Sequence, residues 1–254
     1  MNSIKKMMLS GALGCLISGM AYADGSSPQP VKPYWQDIQV VAVNKEKPRS
    51  SFMSYADRET ALTSRFEKSP YYSLLNGTWK FFFVDSYKDL PQNITDPSVN
   101  TSSWDDITVP GNWEVQGHGV AIYTNHGYEF KPRNPQPPLL PEANPVGVYR
   151  RDIEIPASWD NRDIYLHIGG AKSGLYVYLN GKEVGYSEDS KNPAEFLINK
   201  YLQPGKNVLT LKIFRWSTGS YLECQDFWRM SGIERDVLDR KSTRLNSSHD
   251  QRSR

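Results

Sequence analysis

From position 72 onward the chain falls into short runs in which apolar and polar residues alternate every second position, with turn residues between them. In "GTWKFFFVDS", Trp79, Phe81 and Phe83 share one face of an extended strand, and Lys80, Phe82 and Val84 share the other. "VGVYRRDIEIP" sets Val148, Arg150, Asp152 and Glu154 against Tyr149, Arg151, Ile153 and Ile155. "RDIYLHIGG" sets Ile164, Leu166 and Ile168 against Tyr165 and His167. "KNVLTLKIFRW" sets Leu209, Leu211 and Ile213 against Val208 and Thr210. "LYVYLNGKEVGYS" reads as a hairpin, because Asn180-Gly181 suits a two-residue turn in which both residues need positive φ. "DITVPGNW" adds a short strand ending at Pro110.

Seven or more such strands without a long amphipathic helix predict an all-β, antiparallel jelly-roll sandwich. The pattern places this domain at 70–238. Residues 24–69 show little periodicity and read as a linker followed by an extended arm, with a short strand within 38–43 and a helical turn in "DRETALTSRFEKS".

Composition agrees with the pattern. Trp 7, Tyr 15 and Phe 9, with Gly 18 and Pro 17, suit β structure rich in turns. Formal net charge is +2 over 254 residues, but it is unevenly placed. Positions 1–23 carry +2 and positions 239–254 carry +3, which leaves −3 on 24–238. No basic stripe crosses the middle, so nucleic acid is not an expected partner.

The start, "MNSIKKMMLSGALGCLISGMAYADG", has a basic opening, an apolar run over 7–20 and a small-x-small site at Ala21-Tyr22-Ala23. It reads as a secretory signal cleaved near Ala23, giving a secreted or periplasmic product with no membrane contact beyond the signal. The mature chain would keep one cysteine, Cys224, which forms no intramolecular disulfide.

Two long connections interrupt the strands, at 112–147 and 217–232. Six prolines stiffen 131–145. If the two loops converge at one end of the sandwich, they offer Asn112, Trp113, Asn125, His126, Glu223, Gln225, Asp226 and Trp228. Short amides and carboxylates beside indole rings suit a sugar, whose hydroxyls need donors and acceptors and whose apolar face needs a flat ring. The competing account makes both tryptophans core and the polar groups loop caps, and composition by itself favours it. Glu223 and Asp226 do not look like a self-sufficient hydrolytic pair, since spacing alone does not set their separation. Cys224 lacks a nucleophile's partners, and His118, His126 and His167 lack metal-ligand spacing.

Four motifs in order, "RFEKSPYYSLLNGTWKFFF", "ITVPGNWEVQGHGVAIYTN", "NPVGVYRRDIEIP" and "GSYLECQDFWRMSGIERDV", resemble the N-terminal sugar-binding domain of glycoside hydrolase family 2 β-galactosidases. The wording is closest to secreted, Bacteroides-like members, and the resemblance covers 34–237. It implies a jelly-roll domain that precedes an immunoglobulin-like domain and a catalytic (β/α)8 barrel. It implies that Asn125 and Asp226 reach into the galactosyl pocket, and that Asp226 helps hold a sodium ion. His126 stands where a well-known member has an apolar residue, and Cys224 where it has a carboxylate. The catalytic glutamates and the ligands of magnesium or calcium belong to the barrel, none of whose motifs occurs here. The resemblance therefore implies that the chain alone holds no catalytic residue and no cofactor. A full-length enzyme would take a galactoside substrate, hydrolyse terminal β-D-galactosides with retention, contact the barrel in cis and leave room for homo-oligomers. The alternative is a free-standing carbohydrate-binding module without hydrolase activity.

"GIERDV" starts a closing strand, but "DRKSTRLNSSH" carries one apolar residue, Leu245, in eleven. Positions 239–249 are similar to a translated sequencing adaptor. The expectation is a strand cut short at Leu238, with 239–254 an artefactual, disordered tail.

Overall fold

Residues 163–168 alternate half-buried and buried along the strand, as the period-two pattern requires. The computed structural model describes residues 32–50, 52–130 and 134–242, with side chains in the last strand described through Arg240. The expected signal, the start of the linker, part of the proline loop and 243–254 lie outside the described residues.

After a 3-10 turn at Tyr34–Gln36 come β1 (Ala42–Val43) and α1 (Arg58–Leu62), the one α-helix among the described residues. The Asp57 carboxylate caps α1 by accepting from the Thr60 N–H at 2.7 Å. Then come β2 (Tyr72–Leu74), β3 (Gly77–Val84), β4 (Asp105–Val109), β5 (Gly111–Asn112), β6 (Ile122–Thr124) and β7 (Val146–Glu154). They are followed by β8 (Asp163–Ile168), β9 (Ala171–Lys172), β10 (Gly174–Leu179), β11 (Lys182–Ser187) and β12 (Ala194–Leu197). The last are β13 (Lys206–Phe214), β14 (Phe227–Arg229), β15 (Gly232–Ile233) and β16 (Val237–Ser242).

Seven strands form one antiparallel sheet in the order β1-β11-β10-β13-β7-β3-β4, and four form another in the order β12-β8-β16-β2. They pack face to face, as the all-β sandwich expectation requires. One core joins Trp79, Phe81, Tyr149, Leu211 and Ile213 of the large sheet to Leu166, Ile168, Phe196 and Val237 of the small one. Each such side chain contributes roughly 1.5–3 kcal/mol when removed from water. The hairpin turn has the expected geometry, with Asn180 at φ 52° and Gly181 at φ 78°.

The opposite face of the large sheet is also apolar, so Phe82 and Val84, on the Lys80 face of β3, are packed against a second core instead of facing water. A second cluster forms there from Val146, Val148, Tyr176, Tyr186 and Phe214, covered by Trp35 of the arm and by Ile94 and Trp104. Trp35 stacks on Phe214 at 5.0 Å and meets Tyr87 edge-on at 5.1 Å. The arm's strand is shorter than the 38–43 expected. The Asp37 carboxylate accepts from the Gln39 N–H at 3.0 Å and makes a turn there, so only Ala42 and Val43 pair, with Ser187 and Tyr186 of β11.

The end of the domain requires a correction. The closing strand is not cut short at Leu238, and 239–242 are not disordered. β16 lies between β8 and β2, pairing Asp239 with Leu166 and Ser73, and Arg240 with Tyr165 and Tyr72. Ladder hydrogen bonds come from the backbone, so a vacant slot between two strands accepts a polar sequence. The side chains then take the faces that register dictates. Arg240 turns outward to Glu195 at 2.6 Å, and Asp239 turns into the core.

Candidate functional site

The two long loops converge by pairing directly. β6 and β14 form an antiparallel ribbon, with Thr124 opposite Phe227, Tyr123 opposite Trp228 and Ile122 opposite Arg229. One register step beyond Thr124 and Phe227 stand Asn125 and Asp226, both exposed. The structure thus brings together the two residues that the sequence singled out. Alternation along the ribbon puts them on the face that carries Tyr123 and Trp228.

Hydrogen bonds define their surroundings. The Tyr123 hydroxyl donates to Asp226 Oδ1 at 2.8 Å, and that bond raises the Tyr123 pKa. Asn125 Oδ1 lies 2.7 Å from His126 Nδ1. The Thr124 hydroxyl donates to the His126 carbonyl at 2.6 Å and fixes the turn. Trp228 is 54% exposed and tilts against Tyr123 with ring centroids 5.6 Å apart, so an open aromatic surface lies beside the two polar groups.

The other candidates separate cleanly. Trp113 is fully buried in the inter-sheet core, so the core account holds for it and fails for Trp228. Gly147 makes room for its indole, because a Cβ there would come within 2.7 Å of both Phe81 and Trp113. Asn112 donates to the Ser231 carbonyl at 3.2 Å, and Glu223 accepts from the Ser190 N–H at 2.8 Å and its hydroxyl at 2.6 Å. Both are structural ties. Cys224 donates its S–H to the Ser220 carbonyl at 3.1 Å, and burial pushes its thiol pKa up, away from reactivity. His118 packs edge-on to Phe81 at 4.8 Å, and His167 pairs with Glu195 at 2.8 Å. Among the described residues no cluster of three His, Cys, Asp or Glu could hold a metal.

Beneath the ribbon the structure adds what the sequence reading missed. Tyr128, Phe130, Trp216 and Tyr221 form an aromatic cluster that packs one loop on the other, with Phe130 and Tyr221 edge-on at 5.2 Å. Asn144 donates to the Trp216 carbonyl at 2.8 Å and accepts from its N–H at 3.0 Å, so a side chain replaces a strand partner where the proline loop returns. Lys172 pairs with Glu129 at 3.5 Å, both almost fully buried, and burial lowers the lysine pKa. Arg229 donates to the Glu223 carbonyl at 2.8 Å, and Glu114 accepts from the Ser231 N–H at 2.8 Å. These ties give the ribbon a fixed base. Tyr123, the hydrogen-bond partner of Asp226, did have a sequence signal, its two-residue spacing from Asn125 in "YTN".

A cavity of about 380 Å³ lies between the arm and the small sheet, lined in part by Arg49, His167, Glu195 and Arg240. Arg49, His167 and Arg240 all engage the Glu195 carboxylate. Burial pushes the Glu195 carboxyl up, but hydrogen bonds and charge from His167, Arg240 and Arg49 outweigh that and hold it below the usual carboxylate range.

The profile of the glycosyl hydrolases family 2 sugar binding domain matches residues 72–242. A β-galactosidase of Priestia megaterium is 40% identical over 208 residues, covering 81% of this chain and 20% of that protein. A β-galactosidase of Actinobacillus pleuropneumoniae is 41% identical over 214 residues, covering 84% and 20%. This chain spans about a fifth of the length of the curated relatives it matches. Among solved structures, a Bacteroides uniformis β-glucuronidase superposes with a TM-score of 0.51 at 22% identity, covering 68% of this chain and 18% of that one. At that identity the match speaks for the fold alone.

Proposed function

Since the chain belongs to glycoside hydrolase family 2 through its sugar-binding domain, we propose that it forms one wall of a β-galactosidase site. Asn125 and Asp226 would contact the galactosyl unit, and a barrel elsewhere in the longer enzyme would supply the catalytic carboxylates and retention of configuration. The observation that carries the reading is the β6–β14 pairing, which sets an amide and a carboxylate side by side next to an exposed indole. Asp226 fits a contributing role toward sodium, since a single carboxylate supplies one of the several oxygens a hard cation takes. Magnesium or calcium would be held outside this chain. On this reading the chain alone does not hydrolyse galactosides.

The test is a chimera in which 34–237 replace the corresponding segment of the Priestia megaterium enzyme. The chimera should hydrolyse a chromogenic β-galactoside, and Asn125→Ala or Asp226→Ala should each lower kcat/KM by about tenfold or more. Full activity in both variants would remove these residues from the site. Export with cleavage after Ala23 is part of the same proposal. The mass of the mature chain checks it, and an intact leader would refute it.

A second reading is a free-standing carbohydrate-binding module, favoured by the exposure of Trp228 and Tyr123. It predicts micromolar affinity of the isolated chain for lactose, whereas the first reading predicts negligible binding. Titration of the chain separates the two.

A further inference from the structure

We propose that His126 is a positioning residue that fixes the hydrogen-bond polarity of Asn125. Its Nδ1–H donates to Asn125 Oδ1 across 2.7 Å, which leaves the carboxamide N–H2 as the group offered to a sugar hydroxyl. This rests on the sugar-site reading of Asn125 and Asp226.

A carboxamide can turn either its oxygen or its nitrogen to a neighbour, and only the surrounding hydrogen bonds decide which. Here the turn is held in place by the Thr124 hydroxyl on the His126 carbonyl, and the chain leaves it through Gly127 at φ 73°. The histidine ring therefore stays beside the amide at the low entropic cost of adjacent residues. On the facing strand the Tyr123 hydroxyl occupies Asp226 Oδ1. One oxygen of each recognition residue is thus engaged from within the ribbon. The groups left without a partner among the described residues are the Asn125 N–H2, a donor, and Asp226 Oδ2, an acceptor. That combination matches a hydroxyl, which both accepts and donates, or two neighbouring hydroxyls that do one each. An apolar residue at 126 would leave the amide free to flip, and the flipped form would set an acceptor beside the Asp226 acceptor. The histidine removes that degeneracy.

The decisive measurement is on the full chain. Two-bond proton–nitrogen correlation of the His126 ring in the 15N-labelled protein at mildly alkaline pH should show Nδ1 protonated and Nε2 bare. Nδ1 bare, with the Asn125 amide donating to it, would overturn the proposal. In the chimera, His126→Phe should raise KM about fivefold while kcat stays within twofold, and His126→Asn, whose amide nitrogen stands near the position of Nδ1, should restore KM to within about twofold. An unchanged KM in His126→Phe would also overturn it. An inactive unsubstituted chimera would count against the sugar-site reading instead, and the ring-nitrogen result would still decide the role of His126.

Discussion

Replacing Asp239 with leucine is expected to stabilise the domain by about 4 kcal/mol at neutral pH. Asp239 is 1% exposed, with Leu166 and Ser73 opposite it in the neighbouring strands. Its Oδ1 has no hydrogen-bond partner among the described residues. Burial pushes its carboxyl up to about 7 from the ordinary 3.8, only partly offset by the Arg151 charge. The folded state therefore keeps a proton that the unfolded chain has already released. The stability associated with that proton is complete below about pH 4, declines as pH rises and is lost by about pH 7. A shift of about three units corresponds to roughly 4 kcal/mol, at 1.36 kcal/mol per unit. Urea unfolding of the wild type and of Asp239→Leu at pH 8 and near pH 4 should give a large difference at pH 8 that shrinks on acidification. Asp239→Asn should share the flat pH profile without the full apolar gain. An equal difference at both pH values would show that ionisation is not the cause.

Trp35→Ala is expected to cost about 3–5 kcal/mol, the usual range for deleting a buried indole. The arm looks peripheral in the sequence, yet Trp35 is 1% exposed and lies between Phe214 and Tyr87. Its neighbour Tyr34 stacks on Tyr176 at 5.7 Å. Without the indole, the outer faces of β13 and β10 would meet water, and the pairing of β1 with β11 would be left with two residue pairs and little packing. A drop in the urea midpoint at unchanged slope, with faster amide exchange in 34–43, is the expected signature. A loss below about 1 kcal/mol would mean that the arm merely rests on the sheet.

The sequence reading succeeded where the physics is local. In β8 the alternation of Ile164, Leu166 and Ile168 with Tyr165 and His167 specified which residues meet the core, because a strand's side chains change face at every residue. It was ambiguous where both faces of a strand are covered. Phe82 and Val84 fit either an exposed or a buried face, and only the arm and the loops above them make the second core. Trp113 and Trp228 are the same residue type in similar polar loops, yet one ends at 0% and the other at 54% exposure. No local pattern distinguishes them, since the difference depends on Gly147 opening a slot for one and on nothing covering the other.

By itself, then, the sequence determined the long central strands such as β3, β7, β8 and β13, the inward face of β8, and the Asn180-Gly181 hairpin, because backbone period and turn conformation depend on near neighbours. The tertiary structure alone decided that Tyr123 bonds to a carboxylate 103 residues away, that Asn125 and Asp226 share one end of a ribbon, and that an aspartate fills a core position of β16. Each of those outcomes follows from which strands pair and in what register, and register is settled by contacts between distant segments.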